Sequence, residues 1–144
     1  MTKFLKSFFI ALIGSVAANL IVLFALRPFV INPAMPLHSL AIGPVGVLTA
    51  MGVVGATVVY ALMRSLMTRP NKPFIWISII VLIASFVPDF LIIGNTTGPF
   101  AGATISSALV LMLMHVVAAV IVIWALTTKW GEKRKMEVVR IMTS

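Results

Sequence analysis

The sequence predicts an all-α membrane protein: a bundle of four transmembrane helices with both termini in the cytoplasm. Three observations lead there. Hydrophobic residues make up 61% of the chain and charged residues 10%, whereas soluble domains carry about 45–50% and about 25%. A soluble fold of this size still exposes much of its surface and could not bury such an excess. Apolar runs meeting the length of a helical span, about 20 residues, occur four times, at residues 5–26, 44–66, 74–93 and 102–127. The basic residues are also sorted by connection. Lys3 and Lys6 precede the first run, Arg64, Arg69 and Lys72 flank the link between the second and third, and Lys129, Lys133, Arg134, Lys135 and Arg140 follow the fourth. With four spans all of these fall on one side and Arg27 alone on the other, so the positive-inside rule places that side in the cytoplasm. The net charge of +8 is thereby explained by topology, and no nucleic-acid partner is implied. Residues 1–128 form the membrane domain and 129–144 a basic tail.

The first run begins like a signal peptide, but its apolar stretch continues to Leu26, longer than a signal core, and is read as a retained helix. It carries Asn19 and two small-residue pairs four apart, Ala11/Ser15 and Gly14/Ala18. The connection that follows holds Pro28, Pro33, Pro36 and Pro44, which predicts extended rather than helical backbone; His38 within it has no neighbouring ligand residue. The second run pairs Gly46 with Ala50 and Gly52 with Ala56, and the fourth pairs Gly102 with Ser106. Small faces of this kind let helices approach closely in lipid, and ordinary packing within the chain is the expected use. Trp76, Trp124, Trp130 and Tyr60 fall at the cytoplasmic ends of their runs and are expected to anchor at the interface. In the tail, Lys133, Arg134 and Lys135 with Met136, Val139 and Met142 at spacings of three suit a short helix on anionic lipid or a solvated stop-transfer segment.

Ionisable groups inside a span are costly and mark function by default. Asp89, in the third run, is the only acidic residue before Glu132. His115 lies in the fourth run. By helix rise, Asp89 is expected roughly 7 Å and His115 roughly 20 Å below the external surface, a separation of about 13 Å that predicts no direct contact. Arg27, at the external end of the first run, is the expected partner of Asp89. That pair reads either as a clamp between two helices or as a substrate-binding carboxylate in an external vestibule. Pro88 is expected to kink its helix and free the carbonyl of Ala84 beside Ser85. His115 is expected to hydrogen-bond to Asn19 or Thr49. One membrane histidine cannot form a bis-histidine haem site, no cysteine is available for metal or nucleophilic chemistry, and no acid–base constellation converges. No cofactor, metal or catalytic residue is predicted.

The stretch KPFIWISIIVLIASFVPD, followed by a short loop and SALVLMLMHVVAAVIVIWAL, resembles the small four-helix bacterial membrane proteins of a domain-of-unknown-function family. The likeness rests on Trp76 entering the third span, Ser85 and Pro88 near its end, and Met114–His115 followed by small residues in the fourth. It implies the four-helix fold and a bacterial inner membrane, and carries no activity. The function expected from the sequence is that of a non-catalytic accessory or scaffold subunit, packing in a larger membrane complex through its small-residue faces. The alternative is a small homo-oligomeric transporter or channel using Asp89 as its coupling or binding carboxylate.

Overall fold

The computed structural model describes residues 2–30, 40–98 and 101–128. They form four helices, α1 (Thr2–Val30), α2 (Ile42–Leu66), α3 (Asn71–Leu91) and α4 (Ile105–Thr127), each long and apolar enough to cross a membrane. The predicted proline connection (Pro33, Pro36, His38) and the tail residues Trp130, Lys133, Arg134 and Lys135 lie outside the described residues.

The helix ends differ from the apolar runs for local reasons. The first helix starts ahead of its run because lysine is a good helix former and does not stop a helix. It also runs through Arg27 and Pro28 to Val30, correcting the extended backbone expected from Pro28. The proline sits in the last turn, where the loss of one backbone donor ends the helix soon afterwards instead of breaking it midway. Arg27 in that turn complements the partial negative charge of the helix C-terminus. Pro44, also assigned to the extended connection, falls in the first turn of α2, where its missing N–H would have had no intrahelical acceptor. The fourth helix begins later than its apolar run because Thr104 caps it. The Thr104 hydroxyl accepts from the Ser107 N–H at 3.3 Å, and the Ser107 hydroxyl accepts from the Thr104 N–H at 2.8 Å, a reciprocal capping box. Gly102, with φ +82°, therefore lies in the loop and forms no helix face with Ser106. It and Gly94, with φ +78°, supply left-handed backbone that favours glycine. Their N–H groups close the α3–α4 link on the carbonyls of Asn95 (2.9 Å) and Ala103 (3.0 Å).

Packing is most extensive between α1 and α4, then between α1 and α2 and between α3 and α4, while α2 and α3 touch little. The core has two apolar clusters. One gathers Ala11, Val53, Tyr60, Phe74, Val122 and Leu126 near the α2–α3 link. The other gathers Leu23, Leu40, Val45, Ile92, Val110 and Met114 near the α3–α4 link. Between them lies a polar waist of Ser15 and Asn19 from α1, Thr49 from α2 and His115 from α4. The first helix shows the pattern most plainly. Its buried stripe is Ser7, Ala11, Ser15, Asn19 and Leu23, residues four apart that share one face, whereas Phe9, Ile13, Ile21 and Phe24 face outward.

At the α2–α3 link end a clasp joins three helices. Tyr60 is fully buried, with its ring edge-on to Phe74 at 4.8 Å between centroids. Its hydroxyl donates to Oδ1 of Asn71 at 2.7 Å, and Nδ2 of Asn71 donates to the Thr127 carbonyl at 3.1 Å. Tyr60 is thus a buried tie and not the interfacial anchor expected of it; Trp76 and Trp124 are exposed.

The glycines divide into two groups. A Cβ added at Gly14 would lie 3.4 Å from Cγ2 of Ile121, so α1 and α4 approach closely there. A Cβ added at Gly46 or Gly52 would meet nothing within 4 Å. The expectation of packing within the chain therefore fits α1 and, in α2, Ala56, which packs against the core, while Gly46 and Gly52 themselves face no described residue at contact distance. Gly14→Leu is expected to push α1 off α4 and cost about 1–3 kcal/mol, whereas Gly52→Leu leaves stability within about 0.5 kcal/mol. Unfolding in micelles, followed by helical circular dichroism, measures both.

Candidate functional site

Asp89 and His115 meet. Oδ2 of Asp89 lies 3.2 Å from Nδ1 of His115, with the Asp89 side chain 8% exposed and that of His115 42%. This corrects the expectation that their depths keep them apart. Measured from the Asn71–Thr127 contact, Asp89 stands eighteen residues along α3 and His115 twelve residues along α4, an axial offset of about 9 Å. Side chains on a helix lean toward its N-terminus, and α3 and α4 run antiparallel. Asp89 therefore leans down toward His115 while His115 leans up toward Asp89. Depth counted on Cα positions misses both displacements.

The imidazole is held by its own helix as well. Nδ1 of His115 donates to the Leu111 carbonyl at 2.8 Å. A carbonyl can only accept, so Nδ1 carries the hydrogen and directs it at Leu111. Oδ2 of Asp89 sits beside it at ion-pair distance but without a hydrogen bond of its own. The contact is electrostatic and incompletely satisfied. Arg27, the expected partner, is exposed at the end of α1 and is in no ion pair among the described residues. The expected bond from His115 to Asn19 or Thr49 is likewise replaced. Nδ2 of Asn19 donates to Oγ1 of Thr49 at 2.9 Å, tying α1 to α2, and Oδ1 of Asn19 is buried with no partner among the described residues. Pro88 lies inside α3, which continues to Leu91, and the Ser85 hydroxyl donates to the Leu82 carbonyl at 2.7 Å.

These groups border a cavity of about 430 Å³ to which all four helices contribute. Asn19, Thr49, Ser85 and His115 line one part of it, while Ala56, Val59, Phe74 and Ile77 line the part nearer the Tyr60 clasp. Leu48, Val59, Ile77 and Val81 are lining residues that are also exposed on the outer surface, so the cavity opens sideways between α2 and α3. Gly52 and Gly55 form part of its wall, and the open space at each is cavity. Sequence reasoning found Asp89, His115 and Asn19 but missed Thr49 as the partner of Asn19, Ser78 in the lining, and Asn71 in the clasp below. The signal for Asn71 was present: a polar residue between two prolines at a helix start, in TRPNKP.

Removing one member of a buried pair strands the other, whereas replacing both with apolar groups is often neutral. His115→Leu is expected to cost about 1–3 kcal/mol, below the usual range for a buried pair because the imidazole is half exposed. Asp89→Leu combined with His115→Leu is expected to recover most of that loss. Equilibrium unfolding of the two single variants and the double variant in one micelle system measures the coupling.

No curated protein and no solved structure matches the chain. Residues 2–131 match a family model described as a family of unknown function, DUF6069, in keeping with the four-helix likeness carried by Trp76, Ser85, Pro88, Met114 and His115. The chain belongs to this family of unknown function.

Proposed function

We propose that the protein is a non-catalytic membrane protein that takes a lipophilic small molecule from the bilayer through the α2–α3 opening and holds it in the cavity. The observation carrying this reading is the cavity itself: mostly apolar walls drawn from four helices, with a few polar groups gathered in one part, the usual character of a ligand site. Binding is favoured over catalysis by the commitments of the hydroxyls. The Ser85 proton is given to the Leu82 carbonyl, and no hydroxyl among the described residues hydrogen-bonds to the imidazole to be activated by it. The sorting of Lys6, Arg64, Arg69 and Lys72 to the α2–α3 link end, opposite Arg27, supports termini on the cytoplasmic side of a bacterial inner membrane.

Of the two roles drawn from the sequence, the small transporter fits this reading better, because the Asp89–His115 pair adjoins the cavity. Such a carrier would act as a homo-oligomer. The accessory-subunit role retains one supporting observation: a Cβ added at Gly43 or Gly46 on α2 would meet no described residue within 4 Å, as a helix of a larger complex would require.

Gly52→Leu separates the readings, since Gly52 lines the cavity and an added Cβ there meets nothing within 4 Å, so the longer side chain is directed at the cavity space. Mass spectrometry of lipophilic molecules carried by the protein, extracted into nanodiscs from its native membrane, is expected to find a discrete species in the unaltered chain and its loss in Gly52→Leu. Identical bulk lipid in both would overturn the proposal. In the same membranes Asp89→Asn is expected to abolish uptake driven by a pH gradient while leaving the fold intact; retained uptake would remove Asp89 from the transport cycle.

A further inference from the structure

We infer that the cavity takes a single-chain amphiphile with an uncharged, hydrogen-bonding head, of the long-chain alcohol class. This inference rests on the reading of the cavity as a ligand site and names the ligand's chemistry.

The shape argues for one chain. Along α2 the lining runs from Val45 to Val59 and along α3 from Phe74 to Ser85, about 21 Å and about 16 Å respectively. A volume of about 430 Å³ holds on the order of a dozen groups the size of a water molecule or methylene. An elongated space of that capacity suits one extended alkyl chain.

The distribution of polarity gives the chain a direction. Asn19, Thr49, Ser85 and His115 lie toward the α3–α4 link end, and the walls become largely apolar toward the Tyr60–Phe74 contact that closes the other end. The head therefore sits at the polar waist and the tail points to the clasp, passing the single hydroxyl of Ser78.

Charge selects the head. Among the described residues His115 is the only ionisable one in the lining, and its Nδ1 already faces the Asp89 carboxylate. A carboxylate or phosphate head drawn to the imidazole would set a second anion against Asp89 in a low-dielectric site, and a cationic head would compete with the imidazole for Asp89. Neither ion finds an unmatched counter-charge, and burial of an unpaired ion is costly. The unfilled needs are those of neutral hydrogen bonding. The Thr49 hydroxyl accepts from Asn19 and gives its own hydrogen to no described residue, and Nε2 of His115 makes no hydrogen bond to a described residue. A hydroxyl both donates and accepts, so it can accept from the Thr49 hydroxyl and donate to the free nitrogen of the imidazole.

The test uses the full chain in nanodiscs with photoreactive diazirine analogues of dodecanol, dodecanoic acid, dodecyltrimethylammonium and dodecane, with labelled peptides read by mass spectrometry. Dodecanol is expected to label the cavity walls of α2 and α3 and to bind about 2- to 10-fold more tightly than dodecane, the value of one net hydrogen bond. Thr49→Val is expected to reduce that advantage while leaving dodecane labelling unchanged, and Gly52→Leu to block both. Stronger labelling by the acid or the ammonium compound, or equal labelling by dodecanol and dodecane, would overturn the neutral-head inference while the cavity reading stands. Labelling that Gly52→Leu does not reduce would overturn both. The headgroup comparison is made on the unaltered chain, so a variant that fails to fold does not decide it.

Discussion

The constraint on which this structure depends is that its outer surface is as apolar as any core it could build. In water, helix faces are sorted by hydrophobicity because burial of apolar area is favourable. Against lipid that gain disappears, and helices associate through close packing and hydrogen bonds. The first helix follows this second rule throughout. It turns phenylalanines and isoleucines outward and buries a stripe in which Ser7, Ser15 and Asn19 alternate with Ala11 and Leu23. Small side chains along that stripe, with Gly14 set against Ile121, allow α1 and α4 the closest union in the bundle.

The cavity follows from where the remaining ties fall. The second and third helices are joined by a short link and fastened beside it by Tyr60, Phe74 and Asn71. Beyond that clasp each is held by a different neighbour: α2 by α1, through Asn19 and Thr49, and α3 by α4, through Asp89 and His115. Two helices pinned at one end and drawn to different partners at the other must part between. Gly52 and Gly55 then leave empty the space that larger side chains would have filled. The polar waist is therefore both the reason the helices separate and the lining of the gap between them.

The number of spans and their approximate limits were legible from composition and length alone, because nothing but a membrane helix accommodates twenty apolar residues in succession. The burial of α1 was partly legible: Ala11 and Ser15 were paired as a packing face, but its extension at the same interval to Ser7, Asn19 and Leu23 was overlooked. Partners were harder to read. Arg27 was a natural choice for Asp89 on charge and on the end of the bundle it occupies. The choice failed because a helical side chain's reach is directional, and antiparallel neighbours bring their side chains together across several ångströms of axial offset. Tyr60 was misplaced for a related reason. Its depth was estimated well enough for an anchor, but depth does not say which way a residue faces.

That Asp89 is matched by an imidazole and not by a guanidinium changes what the pair is able to do. Arginine keeps its charge under all ordinary conditions, so a pair with it has one neutral-sum state, made of two ions. A histidine–carboxyl pair sums to zero either as two ions or as two uncharged groups, according to which member holds the proton. The carboxyl oxygen lies 3.2 Å from the ring nitrogen, and the imidazole also has the Leu111 carbonyl to hold its N–H. One side of the ring is thus oriented by fixed partners while the residue itself borders the cavity. The pairing keeps a carboxylate tolerable among described residues that bury no other acidic or basic side chain, and it sets an acid and an imidazole beside the space where a ligand would lie.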